Sequence, residues 1–306
     1  MKQRTIDSTI SCKGVGLHSG KPVMLTFYPA PEGHGVVFRR VDVDTTVDIC
    51  ADVFQVVDTR LSTCIATEGI RVATIEHLMS AIAALGIDNL IIDIDGPEVP
   101  IMDGSAAPFV FLLQSAGIQI QKANKRFIKV TQKVEFHGDD GQYASFTPSD
   151  KVLFQISMDF GHQHPSFSQE NCQMRFDFSS MSFQKSISRA RTFGFLNQYE
   201  ALRRNNLALG GGLHNAIVYN DFEVMNKEGL RFTDEPLRHK LLDVIGDLYL
   251  AGAPIVAEFI GHKTGHYMNN MLLRTLMQKQ DAWEWAEYNV ERKIPIQFNA
   301  ELAIAS

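Results

Sequence analysis

The sequence predicts an α+β fold: two similar two-layer α/β domains, each a sheet with helices, packed face to face. Three observations predict it. After His77 come a helix, a short glycine-containing loop, an apolar strand and a second helix, and the same order follows His239. Ile91 in the first strand stands at nearly the same offset from His77 as Ile255 does from His239. Each histidine falls in the first turn of its helix, so two facing helix N-termini would bring both imidazoles to one point. Helix–strand–helix is a common order, and coincidence alone can produce it. The chemistry at the two helix starts is what makes the repeat informative.

The elements follow in order along the chain. Thr5-Ile6, Val23 to Tyr28 and Gly35 to Phe38 are β-rich, with Pro and Gly turns between them. From Ile75 to Leu85 the pattern is helical, with Leu78, Ile82 and Leu85 on one face and Gly86 as the stop. Leu90 to Ile94 reads as a strand, and Gly104 to Ala116 as a helix carrying Phe109, Phe111, Leu112 and Leu113. The polar, basic stretch Gln121 to Arg126 is the expected linker, which sets an N-terminal domain at 1–123 and a C-terminal domain at 124–306. Strands resume at Phe127 to Val130 and at Val152 to Ile156. Phe195, Tyr199 and Leu202 have helical spacing and lead to Gly210-Gly211-Gly212. They read as an extra helix and strands inserted into the second domain at about 193–222, although ordinary core packing gives the same pattern. A helix at Pro236 to Leu250, a strand at Pro254 to Ile260 and a helix from about His266 to Lys279 complete the chain.

Bulk properties exclude several function classes. A chain of 306 residues exceeds what one typical core needs, so two domains are the default. Hydrophobic content of 45% and charged content of 21% are those of an ordinary soluble protein. The net charge of −6 leaves no basic excess for nucleic acid, while a small anion needs only a few placed Lys or Arg residues. Cys12, Cys50, Cys64 and Cys172 form no C-x-x-C pair, which argues against a disulfide framework and points to a reducing cytoplasm. No apolar core follows Met1-Lys2-Gln3-Arg4, so no secretory leader is expected. The most apolar window, Leu241 to Gly261, contains Asp243, Asp247 and Glu258. Acids at a bilayer centre cost roughly 2.5–3.5 kcal/mol each, so no integral membrane segment is expected.

His239, Asp243 and Asp247 are spaced four apart and stack on one helical face, surrounded in sequence by Leu241, Leu242, Val244, Ile245 and Leu248. An imidazole and a carboxylate at i and i+4 on a mostly apolar helix suit a divalent ion that takes N and O ligands, zinc above all. The third ligand is best sought in Glu76-His77, where the other hydrophobic helix begins. Zinc hydrolases use three protein ligands, with a nearby carboxylate as base. His77, His239 and Asp243 would be the ligands and Glu76 the base, with the metal at the domain interface. Taken singly, a Glu-His pair also reads as a helix cap with a surface residue, and His-x3-Asp as a solvated pair.

Other residues carry chemistry more weakly. The loop Gly261 to His266 is bracketed by glycines. His266 could protonate a leaving amine, Asp247 could keep it cationic, and Lys263 and Lys240 are possible anion contacts. An exposed polar loop is the alternative. In Ser188 to Phe195, Thr192 could donate to an oxyanion, while Phe193 and Phe195 could line an apolar groove. Gly14 to Gly20 lacks the Gly-Lys-Ser/Thr ending of a phosphate loop and is not read as one.

Together these segments resemble the UDP-3-O-acyl-N-acetylglucosamine deacetylase (LpxC) family of zinc amidases. The resemblance covers nearly the whole chain through GVGLHSG, TIEHL, IDNLIIDIDGPEVPIMDGSAAPF, ISRARTFGF, LRFTDEPLRHKLLDVIGDL and GHKTGHYMNN. It implies Zn2+ on His77, His239 and Asp243, Glu76 as general base, and His266 as the cation oriented by Asp247. It implies Thr192 at the oxyanion, Lys240 and Lys263 as substrate contacts, Phe160 near the uridine, and an acyl-chain passage in the insert. The expected reaction removes the N-acetyl group of a UDP-sugar lipid precursor in lipid A biosynthesis. The expected setting is a cytoplasmic monomer whose apolar tail, Glu301 to Ser306, is a candidate recognition end for a quality-control protease. Two rivals stay open from the residues themselves. One is a zinc peptidase or other amidase with the same ligands. The other is a binding module with a structural zinc, although such sites are usually closed by four ligands.

Overall fold

The computed structural model describes residues 1–159, 172–289 and 294–298. Two five-stranded sheets dominate it and share one topology. In the first, the strands lie in the order Ile10–Val15, Pro22–Pro29, Leu90–Ile94, Val36–Arg40, Val47–Cys50. In the second the order is Val134–His137, Tyr143–Thr147, Glu258–His262, Leu153–Ser157, Gln173–Asp177. Each sheet is two hairpins with the last strand slotted between them. That strand pairs antiparallel on one side and parallel on the other. A hairpin returns directly, whereas a parallel partner needs a crossover, and a helix precedes the central strand in both halves.

Among the described residues the α-helices are α1 (Glu76–Leu85), α2 (Ala107–Ser115), α3 (Ser180–Ser186), α4 (Leu196–Arg204), α5 (Glu235–Leu248) and α6 (His266–Gln278). In each half the central strand lies between two of them: α1 and α2 flank Leu90–Ile94, and α5 and α6 flank Glu258–His262. The expected internal repeat is therefore present, and the α+β class with it. One continuous apolar core runs from Phe27, Phe38 and Ile92, through Leu78, Ile82, Leu241 and Ile245, to Phe146 and Phe259. The sheets are on the outside and the helices between them.

Every residue of α1 is buried, including Glu76 and His77. A helix with one apolar face would leave the other wet, but α5 covers that second face. The small residues Ser80, Ala81, Ala83 and Ala84 permit the close approach. At Gly246 of α5, an added Cβ would lie 2.0 Å from the Glu76 carbonyl oxygen and 3.1 Å from the Ser80 nitrogen. Only glycine fits this crossing.

Three segments depart from the pattern read in the sequence. The Pro254 to Ile260 strand divides: Ile255–Val256 joins Phe127–Val130 in a small sheet, and Glu258–His262 enters the second main sheet. The polar stretch expected as a linker is mostly strand, Ile118–Asn124, paired antiparallel with Lys2–Ile6. Next to it Lys125 is wholly buried, with its ammonium 2.5 Å from Asp88 Oδ1 and 3.0 Å from the Gly86 carbonyl. Ladder pairing with a distant strand decided that segment, and composition alone does not reveal such pairing. The helix expected from Gly104 begins only at Ala107, because Asp103 turns the chain by accepting from the Ser105 N–H and hydroxyl.

Two insertions decorate the repeat. In the first half, Val56–Asp58, Cys64–Thr67 and Ile70–Val72 form a small antiparallel sheet ahead of α1. In the second half, Phe193–Phe195, α4 and Ile217–Tyr219 form a βαβ unit ahead of α5, where extra elements were expected.

Gly246→Ala should destabilise the fold by about 1–3 kcal/mol, the usual penalty for an extra methyl in a packed core. Urea unfolding should show the midpoint falling without a change in slope. An unchanged midpoint would mean that the helix crossing relaxes freely.

Candidate metal centre

Each helix start is built by its own local chemistry. Before α1, Thr74 adopts a left-handed backbone with φ 57°, rare for a β-branched residue and costing roughly 1–3 kcal/mol. Glu76 then sits in the first turn, where the helix dipole favours a carboxylate. At α5, Pro236 occupies the first turn and Glu235 is wholly buried. Glu235 Oε1 accepts from Arg191 Nε at 2.9 Å and from the Arg191 backbone at 3.0 Å, while Oε2 accepts from the Arg231 backbone at 2.6 Å. That buried pair ties the Ser188 to Thr192 segment to the start of α5. Thr192 is fixed further by Gly104, whose carbonyl accepts its N–H at 2.8 Å. Gly104 has φ +83°, and an added Cβ there would lie 2.0 Å from the Asn215 carbonyl oxygen, so no other residue suits the contact.

The crossing of α1 and α5 places His77, His239 and Asp243 together, all three buried, with one ligand atom of each within 4.8 Å of the others. His77 Nε2 is 3.5 Å and His239 Nε2 3.4 Å from Asp243 Oδ1. The imidazoles meet edge to face, centroids 4.8 Å apart. His239 Nδ1 lies 3.0 Å from the Ala190 carbonyl. A carbonyl only accepts, so Nδ1 carries the proton and the Nε2 lone pair points at the cluster. Burial pushes His239 down to about 3, against the pull of Asp243, so this imidazole is neutral at physiological pH. Burial opposes ionisation of Asp243, but His239, Lys240 and His77 outweigh it and hold the carboxyl well below the usual range.

Asp243 Oδ1 is buried and has no hydrogen-bond partner. A buried ionised oxygen left unpaired is costly, and the neutral His239 imidazole cannot neutralise it. The donor set fits a divalent cation with mixed N and O ligands.

Beside the cluster stands an acid–base pair. Glu76 Oε2 accepts from the Thr63 N–H at 3.0 Å, and its Oε1 lies 3.9 Å from His266 Nε2. Burial raises the Glu76 carboxyl, with His266 and His77 opposing. His266 begins α6, where burial and the helix N-terminus both disfavour a cation. Asp247, 2.8 Å from Nδ1, overrides them, helped by Glu76 and Asp243, and His266 is raised to about 9.

A cleft of roughly 370 Å³ opens on these groups, lined among others by Leu17, Leu61, Glu76, His77, Thr192, Phe193, His239, Lys240, Asp243 and His266. Of the residues singled out in the sequence, Lys240 lies 3.4 Å from Asp243 Oδ2 and stands over the Phe193 ring at 5.7 Å. Phe195 packs on Tyr219 with ring centroids 5.8 Å apart, and Lys263 pairs with Asp159 at 2.9 Å; neither lines this cleft. Phe160 and the Glu301 to Ser306 tail lie outside the described residues. Thr63 was not marked by any sequence pattern, and Thr74 and Asn269 stood inside the motifs TIEHL and GHKTGHYMNN without being singled out. Asn269 shares a helix face with His266 at i+3, the one spacing that could have pointed to it.

A paired-histidine and carboxylate cluster beside a buried Glu–His pair, where the two α+β halves meet, has the donor set of the metal-dependent hydrolases. Residues 3–278 match the family described as UDP-3-O-acyl N-acetylglycosamine deacetylase. Curated relatives named UDP-3-O-acyl-N-acetylglucosamine deacetylase include one from Cellvibrio japonicus, 50% identical over 100% of both chains. Another, from Acidithiobacillus ferrooxidans, is 52% identical over 100% of this chain and 99% of its own. A third, from Thioalkalivibrio sulfidiphilus, is 52% identical over 96% and 95% respectively. The chain belongs to the UDP-3-O-acyl-N-acetylglucosamine deacetylase family.

Replacing His77, His239 or Asp243 singly with Ala should sharply lower the metal content of the purified protein, measured by elemental analysis. Wild-type metal content in His77→Ala would remove the first half from the centre.

Proposed function

We infer that the chain hydrolyses the N-acetyl group of UDP-3-O-[(3R)-3-hydroxyacyl]-N-acetylglucosamine, releasing acetate and the free amine, the committed step of lipid A biosynthesis. The substrate follows from the family. The observation that carries the chemistry is the unpartnered Asp243 oxygen between two imidazoles, beside Glu76 and His266. The metal is zinc, held by His77, His239 and Asp243; when bound it supplies Lewis acidity, polarising a carbonyl and making water a stronger acid.

The remaining steps belong to the chain's own groups. Glu76, whose basicity burial raises, takes the proton of the attacking water. Thr192, on the cleft wall, donates to the oxygen that gains negative charge as the carbonyl is attacked. His266, held cationic by Asp247, stabilises that charge and delivers a proton to the departing amine. Lys240 and Phe193 contact the substrate within the cleft, Lys263 and Phe195 contact the parts of the nucleotide sugar and its chain that reach beyond it, Phe160 contacts the uridine, and the insert at about 193–222 houses the acyl group. The domains divide as 1–123 and 124–306, and the enzyme works as a cytoplasmic monomer. Among the described residues no helix is long and apolar enough to cross a membrane. Acetate release from the acylated nucleotide sugar, measured beside a panel of N-acetylated peptides, tests the assignment; cleavage of peptides alone would overturn it.

Glu76→Ala should retain the metal yet lose roughly 10²–10⁴-fold in turnover. Near-normal turnover would pass the base role to another group.

The pH profile of kcat/KM should be bell-shaped. The acidic limb should lie above the ordinary glutamate value, because burial raises Glu76 and its carboxylate form is needed. The cationic form of His266 is present below about 9 and lost above it, so activity should fall as pH rises through that value. Asp247→Asn removes the stabilising charge and should move this limb to lower pH. A basic limb unmoved in His266→Ala would withdraw the role of His266.

A further inference from the structure

Thr63 precedes the strand Cys64–Thr67 of the small insert sheet and is 2% exposed. Two of its three polar groups meet Glu76 and Asp247, and the third holds the backbone just ahead of Glu76. Its N–H donates to Glu76 Oε2 at 3.0 Å, its hydroxyl donates to Asp247 Oδ1 at 2.6 Å, and its carbonyl accepts from the Ile75 N–H at 3.4 Å. A hydroxyl has one proton to give and a carboxylate only accepts, so the sense of the Thr63–Asp247 bond is fixed. The contact spans 184 residues of sequence and joins the first half of the molecule to the second.

On each carboxylate Thr63 holds the oxygen that His266 does not face. Asp247 Oδ2 takes His266 Nδ1 and Asn269 Nδ2, each at 2.8 Å, and Thr63 supplies the one bond to Oδ1. Without it Asp247, 3% exposed, would hold a buried anionic oxygen without a donor. Glu76 Oε2 is pinned by the Thr63 backbone, which leaves Oε1 facing His266 Nε2 across 3.9 Å. One residue thus orients the base directly and the acid through Asp247. Such a link keeps two groups on different domains at one separation while substrate enters between them.

We propose that Thr63 is a positioning residue of the deacetylation reaction, whose hydroxyl locks the Asp247–His266 pair in register with Glu76. The proposal rests on the roles inferred above for Glu76 and His266. Thr63→Val keeps the shape and the backbone N–H but removes the hydroxyl. It should lower kcat roughly 10–100-fold, the loss of a buried bond to a charged group, with KM and metal content near wild type. Thr63→Ser, which restores the hydroxyl, should recover kcat to within a few-fold. In a His266→Ala background, Thr63→Val should add almost no further loss, because it acts through that residue.

Wild-type kcat in Thr63→Val would overturn the proposal. So would equal losses in the Val and Ser variants, or full additivity with His266→Ala. If Thr63→Val does not yield folded protein by circular dichroism, Thr63→Ala, which also lacks the hydroxyl, is judged on the same criteria. Retained activity in Glu76→Ala and His266→Ala would instead sink the functional reading itself, which separates the two failures.

Discussion

The backbone contact between α1 and α5 governs the rest of the structure. At Gly246 the two helices approach so closely that the α5 backbone touches the Glu76 carbonyl. Helix axes in proteins usually stand 8–10 Å apart, set by the side chains between them, and small residues bring them to the near limit. That proximity turns two helix faces into one site. His239 and Asp243 lie about two turns and one turn before Gly246, opposite the start of α1, where Glu76 and His77 project. It also merges the apolar layers of both halves into one core, so the site's geometry depends on the whole molecule's packing.

Charge is handled differently in the two kinds of buried group around this contact. The structural ones are saturated: Glu235 is met by Arg191 and Arg231, and Lys125 by Asp88 and the Gly86 carbonyl. Their desolvation is offset by several hydrogen bonds, the condition under which buried ions are tolerated. Asp243 differs, since one of its oxygens has no donor. Buried groups left short of partners mark the places where a fold has been shaped for something other than its own stability. The backbone strain at Thr74, beside Glu76 and His77, belongs to the same pattern.

The repeated architecture explains why the groups of the site come from both halves, Glu76 and His77 from the first and His239, Asp243 and His266 from the second. Each half supplies a sheet with its last strand in the centre and a helix ahead of that strand. Neither helix start holds enough groups alone: α1 brings Glu76 and His77, and α5 brings His239, Asp243 and Asp247. The insertions fall at equivalent points, ahead of the first helix of each repeat. From there the first reaches Asp247 through Thr63, and the second places Phe193 on the cleft wall.

Much of this was legible in the sequence, for reasons of local chemistry. Periodicity marked the main helices, because burial of one face must recur every three to four residues. Polar side chains stood out at His239, Asp243 and Glu76-His77 because they interrupt apolar helices, where an unpaired charge would be costly. What the sequence did not determine is everything carried by contacts distant along the chain. Lys125 sits in a polar run and reads as exposed, yet pairing with Lys2–Ile6 and the charge of Asp88 bury it. Ala257 gives no sign that the strand around it divides between two sheets. Thr63 is an unremarkable residue whose hydroxyl meets Asp247 only after both halves have docked. The residue types and spacings of the helix faces were set by the sequence itself. The pairing of those faces, the burial that lowers His239, the Asp247 contact that raises His266 against burial, and the bonds that hold Glu76 and His266 in line were decided only by tertiary structure, because they depend on distances that no local pattern encodes.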